Sequence, residues 1–443
     1  MDVELRSLRV GVIVLLVALG IAMFRQGGYH QAQHQLFAIL VLVSGIGLLA
    51  SRHRASLIFV GLAVLPLLAS SALSTLVSED RSDAASTFLT IALVAIALAM
   101  AKPIPVEHRR IAINGALAVA SIVAVTAIWG VATHSGPWGR ITEGVWRGSS
   151  SLTYANGAAG LVGPCAVVAF WLTSQTQQRF YAATTTLMLI AFASTQSRGG
   201  ALALALAFIA TVMLMDRERF VQTAIPIGVG VGIGSLLLLG FAADSTAPNS
   251  PLVIGAVLVG LATTLALFEF RHKVRRAAVL LVGLMVVGVA AVATTSIGER
   301  LSIRSGTTAG GQDANALFGD RVQQWAAGWE QFTNAPLLGN GPGMVDLRWT
   351  QDGRTFESLF VHNEYLELAV THGLVGLVAL GASTYLLLRR RAHDEWVRPI
   401  GLAIGTFMAH SIVDFHWHIP ALPVFFAFLA GLALSAEHSA NSE

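Results

Sequence analysis

The side chains best suited to chemistry in this chain are a histidine and a few arginines that interrupt long apolar runs. His362 opens the sequence HNEYLEL directly before one of these runs. A neutral imidazole is a common general base because its unperturbed pKa is about 6.5, close to neutrality. The pattern therefore favours a role in which His362 accepts the proton of an incoming hydroxyl group.

Metal binding is the alternative for these histidines. HNEYLE has no second histidine at the spacing of an HExxH zinc motif, and His372 stands too far along a helix to share a ligand with His362. His416 and His418 flank Trp417 and indicate an interface cluster. Cys165 is the single cysteine, which excludes cysteine-based zinc sites and an intrachain disulfide. The sequence therefore predicts no metal.

Two arginines stand where an anion could be bound. Arg198, in STQSRGGAL, joins two apolar runs at a membrane boundary, where a charge is usually paired or functional. Arg321 opens FGDRVQQWAAGWEQF, in which Arg321, Trp325 and Trp329 at spacing four share one face of a short amphipathic helix. The alternatives are an Arg198 that extends to lipid headgroups and an Arg321 on a solvated face. The following sequence, NAPLLGNGPG, predicts a turn.

A third polar element, residues 134–156, carries Arg147 and Asn156 before the small-residue run GAAG. Its tryptophans, Trp138 and Trp146, are typical of anchors at a membrane interface. An asparagine directly before an apolar helix is also an ordinary N-cap, so Asn156 has two readings.

Membrane helices must position these residues. The 443-residue chain is 54% hydrophobic and 12% charged, with a mean hydropathy of +0.67, whereas soluble domains carry about 25% charged residues. Apolar runs of this length span a bilayer, and in lipid they must be helical. We expect an all-α polytopic membrane protein with about 12–14 transmembrane helices and one large outer-face loop. The apolar runs are roughly 8–24, 36–50, 57–77, 87–101, 111–133, 157–173, 181–196, 199–215, 221–241, 251–268, 277–295, 366–388, 399–413 and 420–436.

The loop charges predict the orientation. With the N-terminus inside, more than half of the 28 lysine and arginine residues fall in inner segments, as the positive-inside rule requires. Both termini are then cytoplasmic, and the loop 296–362 faces the exterior or periplasm. The high pI of about 9.3 reflects the inner loops rather than a nucleic-acid-binding face. The first helix lacks a small-residue cleavage site and is expected to stay as an anchor.

Four motifs, taken together, resemble a known family. SRGG at a helix end, DRxxxW, PLLGNGPG and HNEYLELxxxxG occur in this order on one predicted side of the membrane. They resemble the O-antigen ligase and polymerase superfamily over roughly residues 145–435, with a core at 318–377. The resemblance divides the chain into N-terminal transmembrane helices, 1–140, and a ligase- or polymerase-like region, 141–443, that includes the loop 296–362.

The resemblance implies a membrane glycosyltransferase of the GT-C type in the plasma membrane. Such an enzyme moves a glycan from a polyprenyl diphosphate carrier to a hydroxyl group of a lipid or glycan acceptor, with inversion and without metal or cofactor. His362 matches the histidine of the family and would receive or position the acceptor proton. Arg198, Arg321 and Arg147 would bind the diphosphate, since arginine forks pair with phosphate oxygens.

Two arginines rival Arg321 as a phosphate ligand. The apparent helices 221–241, 251–268 and 277–295 lie between Arg198 and Arg321, a longer interval than the lipopolysaccharide ligases lead us to expect. Arg300 and Arg304, directly after the run 277–295, could take its place. The candidate supporting residues are Asn156, Asn363, Glu364, His410 and Asp414.

A multi-pass transporter of bicarbonate or another small solute is the alternative function, because some members of the superfamily carry that label. Transport requires polar groups at mid-membrane depth, often on broken helices. Asp414 with His410 would carry a proton-linked route. The other ionisable residues gather toward the predicted outer face, which favours chemistry at the surface. The expected partners are a lipid-linked glycan donor, a lipid or glycan acceptor and membrane lipids, but no nucleic acid.

Overall fold

The structure of the chain, a computed structural model, is mostly helical. Eight helices of its described part are long and apolar enough to cross a membrane, and three shorter helices are also apolar. The chain is therefore an all-α polytopic integral membrane protein, as predicted. The described residues are 2–49, 54–142, 145–242, 247–271, 321–351, 354–389, 391 and 394–434.

Each apolar run predicted within these residues coincides with a helix. The predicted run 277–295 lies outside them, as do Arg300, Arg304 and the first part of the loop, 296–320. The helices are α1 (Asp2–Phe24), α2 (Gln31–Leu49), α3 (Arg54–Thr75), α4 (Arg81–Ala101), α5 (Val106–Thr133), α6 (Ala155–Thr176), α7 (Arg179–Thr195), α8 (Arg198–Leu214), α9 (Arg217–Ala242), α10 (Ser250–Glu269), α11 (Arg321–Asn334), α12 (Glu364–Leu388), α13 (Val397–His410) and α14 (Ala421–Leu432).

The polar connections contain two antiparallel hairpins where the sequence pattern predicted only loops. Strands this short carry too few residues for alternation to be visible in the sequence. In the second hairpin, Trp349 stacks on Phe356 across the strands with a ring separation of 5.7 Å. The hairpins pair β1 (Gly139–Thr142) with β2 (Val145–Gly148) and β3 (Leu347–Gln351) with β4 (Arg354–Ser358).

The chain forms two compact units, each built from segments that are distant in sequence. The first unit comprises Met1–Val119, Asp320–Ile404 and Ser411–Glu443. The second unit comprises Ala120–Gly319 and Gly405–His410. The boundary predicted near residue 140 from the family resemblance stays a prediction about sequence regions.

Close backbone approaches hold the helices of the first unit together. Helix α12 packs against α3, and α14 packs against α4. A Cβ atom at Gly431 of α14 would lie 2.6 Å from the Leu98 carbonyl oxygen of α4, an approach that only glycine permits. Arg109 of α5 is 1% exposed and forms an ion pair with Asp394. Because an unpaired buried charge is strongly destabilising, this pair ties α5 to the segment before α13.

The second unit is arranged around α6, whose membrane-length segment is buried throughout. Helices α9 and α10 pack closely, since a Cβ atom at Gly230 would lie 2.5 Å from the Gly260 carbonyl oxygen. The Thr186 and Thr264 hydroxyl groups are 2.9 Å apart and link α7 to α10. Small residues and hydroxyl pairs of this kind are typical of helix contacts in membranes.

Helix α12 of the first unit is interrupted at Gly373. Its φ of +64° and ψ of −161° belong to a region that is essentially restricted to glycine. In a continuous helix, the carbonyl groups of Val370 and Thr371 would accept bonds from amides four residues later. Here they accept from the backbone amides of Asn340, at 2.8 Å, and Gly341, at 3.0 Å.

The amides on the other side of the break are satisfied by the same loop. Leu374 donates to the Pro336 carbonyl at 2.8 Å, and Val375 donates to the Leu337 carbonyl at 3.2 Å. The turn predicted at NAPLLGNGPG is confirmed, with positive φ at its glycines. It also replaces one turn of backbone pairing inside a membrane helix, so segment 336–341 is part of α12's hydrogen-bonding framework.

Replacing Gly373 with alanine should destabilise the protein by roughly 1–3 kcal/mol or more, the cost of a strained backbone conformation. A Cβ atom there would also lie 2.2 Å from the Leu337 carbonyl oxygen. Gly381→Ala in the same helix is the matched control, since its Cβ would meet no atom within 4 Å. Thermal unfolding in detergent should show a lower Tm for Gly373→Ala alone. Equal effects of both substitutions would contradict the role of the break.

Candidate active site

His362 lies directly before α12, in the left-handed region with a φ of +52°. This conformation costs of order 1–3 kcal/mol for a residue other than glycine, so its surroundings must hold it. Its carbonyl oxygen accepts a hydrogen bond of 3.3 Å from the Trp325 indole, and its Nδ1 is 3.4 Å from the Phe360 carbonyl oxygen. The ring meets Phe415 edge-on, with centroids 4.8 Å apart.

The surroundings of His362 keep its imidazole neutral. Burial is the main cause that lowers its pKa below the ordinary value, and the charge of Arg321 adds to this effect, whereas the carboxylate of Asp414 opposes it. A histidine with a lowered pKa holds an open lone pair at neutral pH. The ring can therefore accept a proton.

Arg321 and Asp414 form an ion pair beside this histidine. Arg321 Nη2 donates to Asp414 Oδ2 at 2.9 Å. The carboxylate is fully buried, while the arginine side chain is 20% exposed. Asp414 Oδ1 also accepts from the Phe415 amide at 2.9 Å. The contact with Asp414 uses one of the five N–H donors of the guanidinium group, so the arginine is oriented by a buried anion at one edge.

Helix α11 presents Arg321 and Trp325 to this cluster. Trp325 lies one turn after Arg321 and is partly buried, as the predicted shared face requires. Trp329, a further turn on, is 59% exposed. The buried side of the helix instead continues through Gly328 and Phe332.

The first residues of α12 are held by side chains predicted to support the site. Asn363 is the N-cap, and its side-chain oxygen accepts from the amides of Tyr365 and Leu366, each at 3.1 Å. Glu364 is buried; its carboxylate accepts from the Trp417 amide, and its own amide donates to the Ser411 carbonyl at 2.9 Å. Both residues therefore stabilise the backbone that carries His362.

Sequence reasoning missed the part played by Glu367 and His418. Glu367 Oε2 accepts from the Val361 amide at 2.9 Å, and Glu367 Oε1 is 2.8 Å from His418 Nε2. His418 Nδ1 is also 3.6 Å from Glu364 Oε2. The signal was the spacing of three between Glu364 and Glu367, which places both carboxylates on one side of a helix start.

The two histidines around Trp417 therefore differ in kind. Burial lowers the pKa of His416 to about 4, with the positive charge of Arg321 acting in the same direction against the attraction of Asp414. Burial also disfavours the charged form of His418, but the carboxylates of Glu367 and Glu364 outweigh it and raise its pKa well above the ordinary value. The predicted interface cluster thus consists of a neutral ring and a charged one.

Arg147 and Asn156 are brought together in the second unit. Arg147 Nη2 donates to Asn156 Oδ1 at 2.8 Å, and Arg147 Nε donates to the Thr195 carbonyl at 2.7 Å. Asn156 Nδ2 donates to the Tyr154 hydroxyl at 3.2 Å. The N-cap reading of Asn156 is wrong, because Tyr154 occupies that position and Asn156 lies inside α6.

Arg198 is the first residue of α8, and its side chain is exposed. The predicted short connection is confirmed, since only Gln196 and Ser197 separate α7 from α8. Ser197 caps α8 by accepting from the Gly200 amide at 3.2 Å, and its hydroxyl is 3.3 Å from His410 Nε2. His410, another predicted supporting residue, is therefore buried against the helix start that carries Arg198.

Within the described residues, no cluster of three histidine, cysteine, aspartate or glutamate side chains has the geometry to hold a metal ion. The predicted site residues fall into a group in each unit. The first unit gathers His362, Arg321, Asn363, Glu364 and Asp414. The second unit holds Arg147, Asn156, Arg198 and His410.

Comparison with known proteins yields one family. No curated protein sequence matches the chain significantly. The family model described as O-antigen ligase matches residues 246–381, a stretch that contains Arg321, His362 and Glu364. At the level of the family, this match supports a membrane glycosyltransferase. Residues 246–381 therefore match the O-antigen ligase family, which confirms the resemblance to the O-antigen ligase and polymerase superfamily.

Proposed function

We propose that the protein transfers a glycan from a polyprenyl diphosphate carrier to an acceptor hydroxyl group at the outer face of the plasma membrane. The observation that carries this proposal is a neutral His362 beside the Arg321–Asp414 ion pair. His362 and Arg321 both lie within the residues that the family model matches. A proton acceptor and an oriented cation are the two groups that such a transfer needs. The transporter alternative receives no comparable support from the family match.

The proposed reaction is a direct displacement at the anomeric carbon. The acceptor oxygen forms the new bond while the bond to the diphosphate oxygen breaks, so the configuration inverts. His362 takes the proton of the acceptor hydroxyl. Arg321 stabilises the negative charge that develops on the departing diphosphate, and its pairing with Asp414 orients the guanidinium group beforehand. No step in this scheme requires a metal ion.

The arginines of the second unit stay predicted diphosphate ligands. Arg198 is exposed at a helix start, a position from which its guanidinium group can bind an anion. Arg147 is already held by Asn156 and by the Thr195 carbonyl. We therefore propose Arg198 as the more direct ligand and Arg147 as a residue whose orientation Asn156 sets.

His362→Ala should lower transfer by about 10²–10⁴-fold, the usual contribution of a general base. The variant is produced in a source strain that lacks the native gene, and glycan attachment and chain length are measured together with protein level. His108→Ala is the control, because His108 of the same unit is bound to Arg9 instead. Unchanged transfer at a normal protein level would refute the role of His362.

Arg321→Ala should weaken binding of undecaprenyl diphosphate to the purified protein by about 10- to 100-fold, the equivalent of roughly 1.5–3 kcal/mol for a hydrogen bond to a charged group. Arg321→Lys should recover only part of this, since lysine lacks the planar fork. Arg348→Ala is the matched control, an exposed arginine paired with Asp346 and Glu357.

Asp414→Asn should separate binding from reaction. Removing the buried anion should tighten binding of undecaprenyl diphosphate, because Arg321 then faces no competing carboxylate. Transfer should nevertheless fall, because the guanidinium group loses the partner that orients it. Weaker diphosphate binding in Asp414→Asn would contradict the assigned arrangement.

A further inference from the structure

The backbone next to His362 is hydrogen-bonded to the carboxylate of Glu367. Val361, directly before it, is fully buried and donates its amide to Glu367 Oε2 at 2.9 Å. Glu367 lies one turn into α12, so this bond folds the chain back over the helix start. A residue in the left-handed region relaxes when its neighbours stop constraining it. The conformation of His362 therefore depends on where the Glu367 carboxylate is held.

His418 holds that carboxylate from the other side. Its Nε2 is 2.8 Å from Glu367 Oε1. The same imidazole packs edge-on against Phe360, with ring centroids 5.0 Å apart, and Phe360 stacks on Phe415 at 4.6 Å. Phe415 in turn meets the His362 ring. A series of contacts thus runs from Val361, the neighbour of His362, through Glu367, His418 and the two phenylalanines to the His362 ring.

Two buried carboxylates at the start of α12 face His418. Glu364 and Glu367 are 2% and 3% exposed, and both approach His418. Two buried carboxylates on one helix turn repel each other, and a positive charge between them stabilises their charged forms. Asp83 of α4 also acts on His418 electrostatically, so the charges facing the imidazole from both α12 and α4 are acidic.

We propose that His418 is a positioning residue for glycan transfer: clamped by Glu364 and Glu367, its imidazolium fixes the backbone that presents His362 to the acceptor hydroxyl. The inference rests on the proposed function, since it assigns His418 to the same reaction. His418 acts through Glu367 and the aromatic contacts and needs no contact with either substrate.

The two histidines then set opposite limits of the pH profile. Burial disfavours the charged form of His418, but the carboxylates of Glu367 and Glu364 raise its pKa well above the ordinary value. The imidazolium is therefore present below that raised pKa, and the clamp is lost as pH rises through it. Burial lowers the pKa of His362, Asp414 opposes this effect, and the charge of Arg321 adds to it. The imidazole therefore loses its function as a base only when the pH falls below the ordinary pKa of a histidine. Transfer should therefore persist well into the alkaline range.

The test compares His418→Gln and His418→Lys in the full-length protein in lipid nanodiscs. Lipid-linked glycan extracted from a source strain that lacks the gene serves as donor, and membranes of that strain serve as acceptor. His418→Gln should lower kcat by about 10²-fold, the effect of a misplacement of about 1 Å, with little change in the KM for donor. His418→Lys should restore part of kcat and move the alkaline limit upward, because lysine titrates at about 10.4.

Two controls separate positioning from loss of fold. His34→Gln removes another buried histidine of the first unit, one whose Nε2 is 3.2 Å from the Thr90 hydroxyl, and should leave kcat unchanged. The rate at which diethyl pyrocarbonate modifies His362, followed by mass spectrometry, reports its placement without any transfer. That rate should rise in His418→Gln. If His418→Gln does not fold, Glu367→Gln takes its place with the same expected outcomes.

The outcomes distinguish the inference from the proposed function. If transfer depends on His362, but His418→Gln keeps the kcat, pH limits and His362 modification rate of the wild type, the positioning role is overturned. A lower Tm with an unchanged alkaline limit in His418→Lys also overturns it. If the wild type transfers no glycan, while His418→Gln still exposes His362 to modification, the proposed function fails and the clamp on His362 stands.

Discussion

The hydrogen bonding of the backbone at the break in α12 is the constraint on which the first unit depends. A peptide group in apolar surroundings that lacks a partner costs several kcal/mol, so a membrane helix can be interrupted only where other backbone replaces the lost bonds. Segment 336–341 supplies that backbone on both sides of Gly373. The exchange attaches segment 336–341, which connects α11 to the β3–β4 hairpin, to α12. His362 directly precedes the same helix.

The site uses buried charge in two different ways. Asp414 orients Arg321 at one edge and leaves further N–H donors on a partly exposed guanidinium group, an arrangement suited to an anionic leaving group. Glu364 and Glu367 surround His418 and fasten the helix start. Between these two charged groups, His362 stays neutral because burial outweighs the nearby carboxylates. One carboxylate therefore orients the arginine, two others hold the start of α12, and the His362 imidazole carries no charge.

The membrane helices could be predicted because hydrophobic length is a local property. The run expected at 366–388 begins at Glu364, where Asn363 supplies the cap, and the connection before Arg198 is as short as predicted. The sequence left Asn156 with two readings because an N-cap and a partner of an arginine look alike in sequence, and the structure excludes the N-cap. The hairpins were not predicted because strands this short show no clear alternation of apolar and polar residues.

Composition, hydrophobic length and motif order depend on neighbours along the chain, so they were enough to predict the class of protein and the helix positions and to name the candidate site residues. The contacts of those side chains, in contrast, depend on how distant segments of the chain fold together. The pairing of Arg321 with Asp414, and of Glu367 with His418, joins residues on separate elements. The break at Gly373 needs a carbonyl and amide partner from a distant loop. Such contacts follow from packing and charge compensation, which no local pattern encodes.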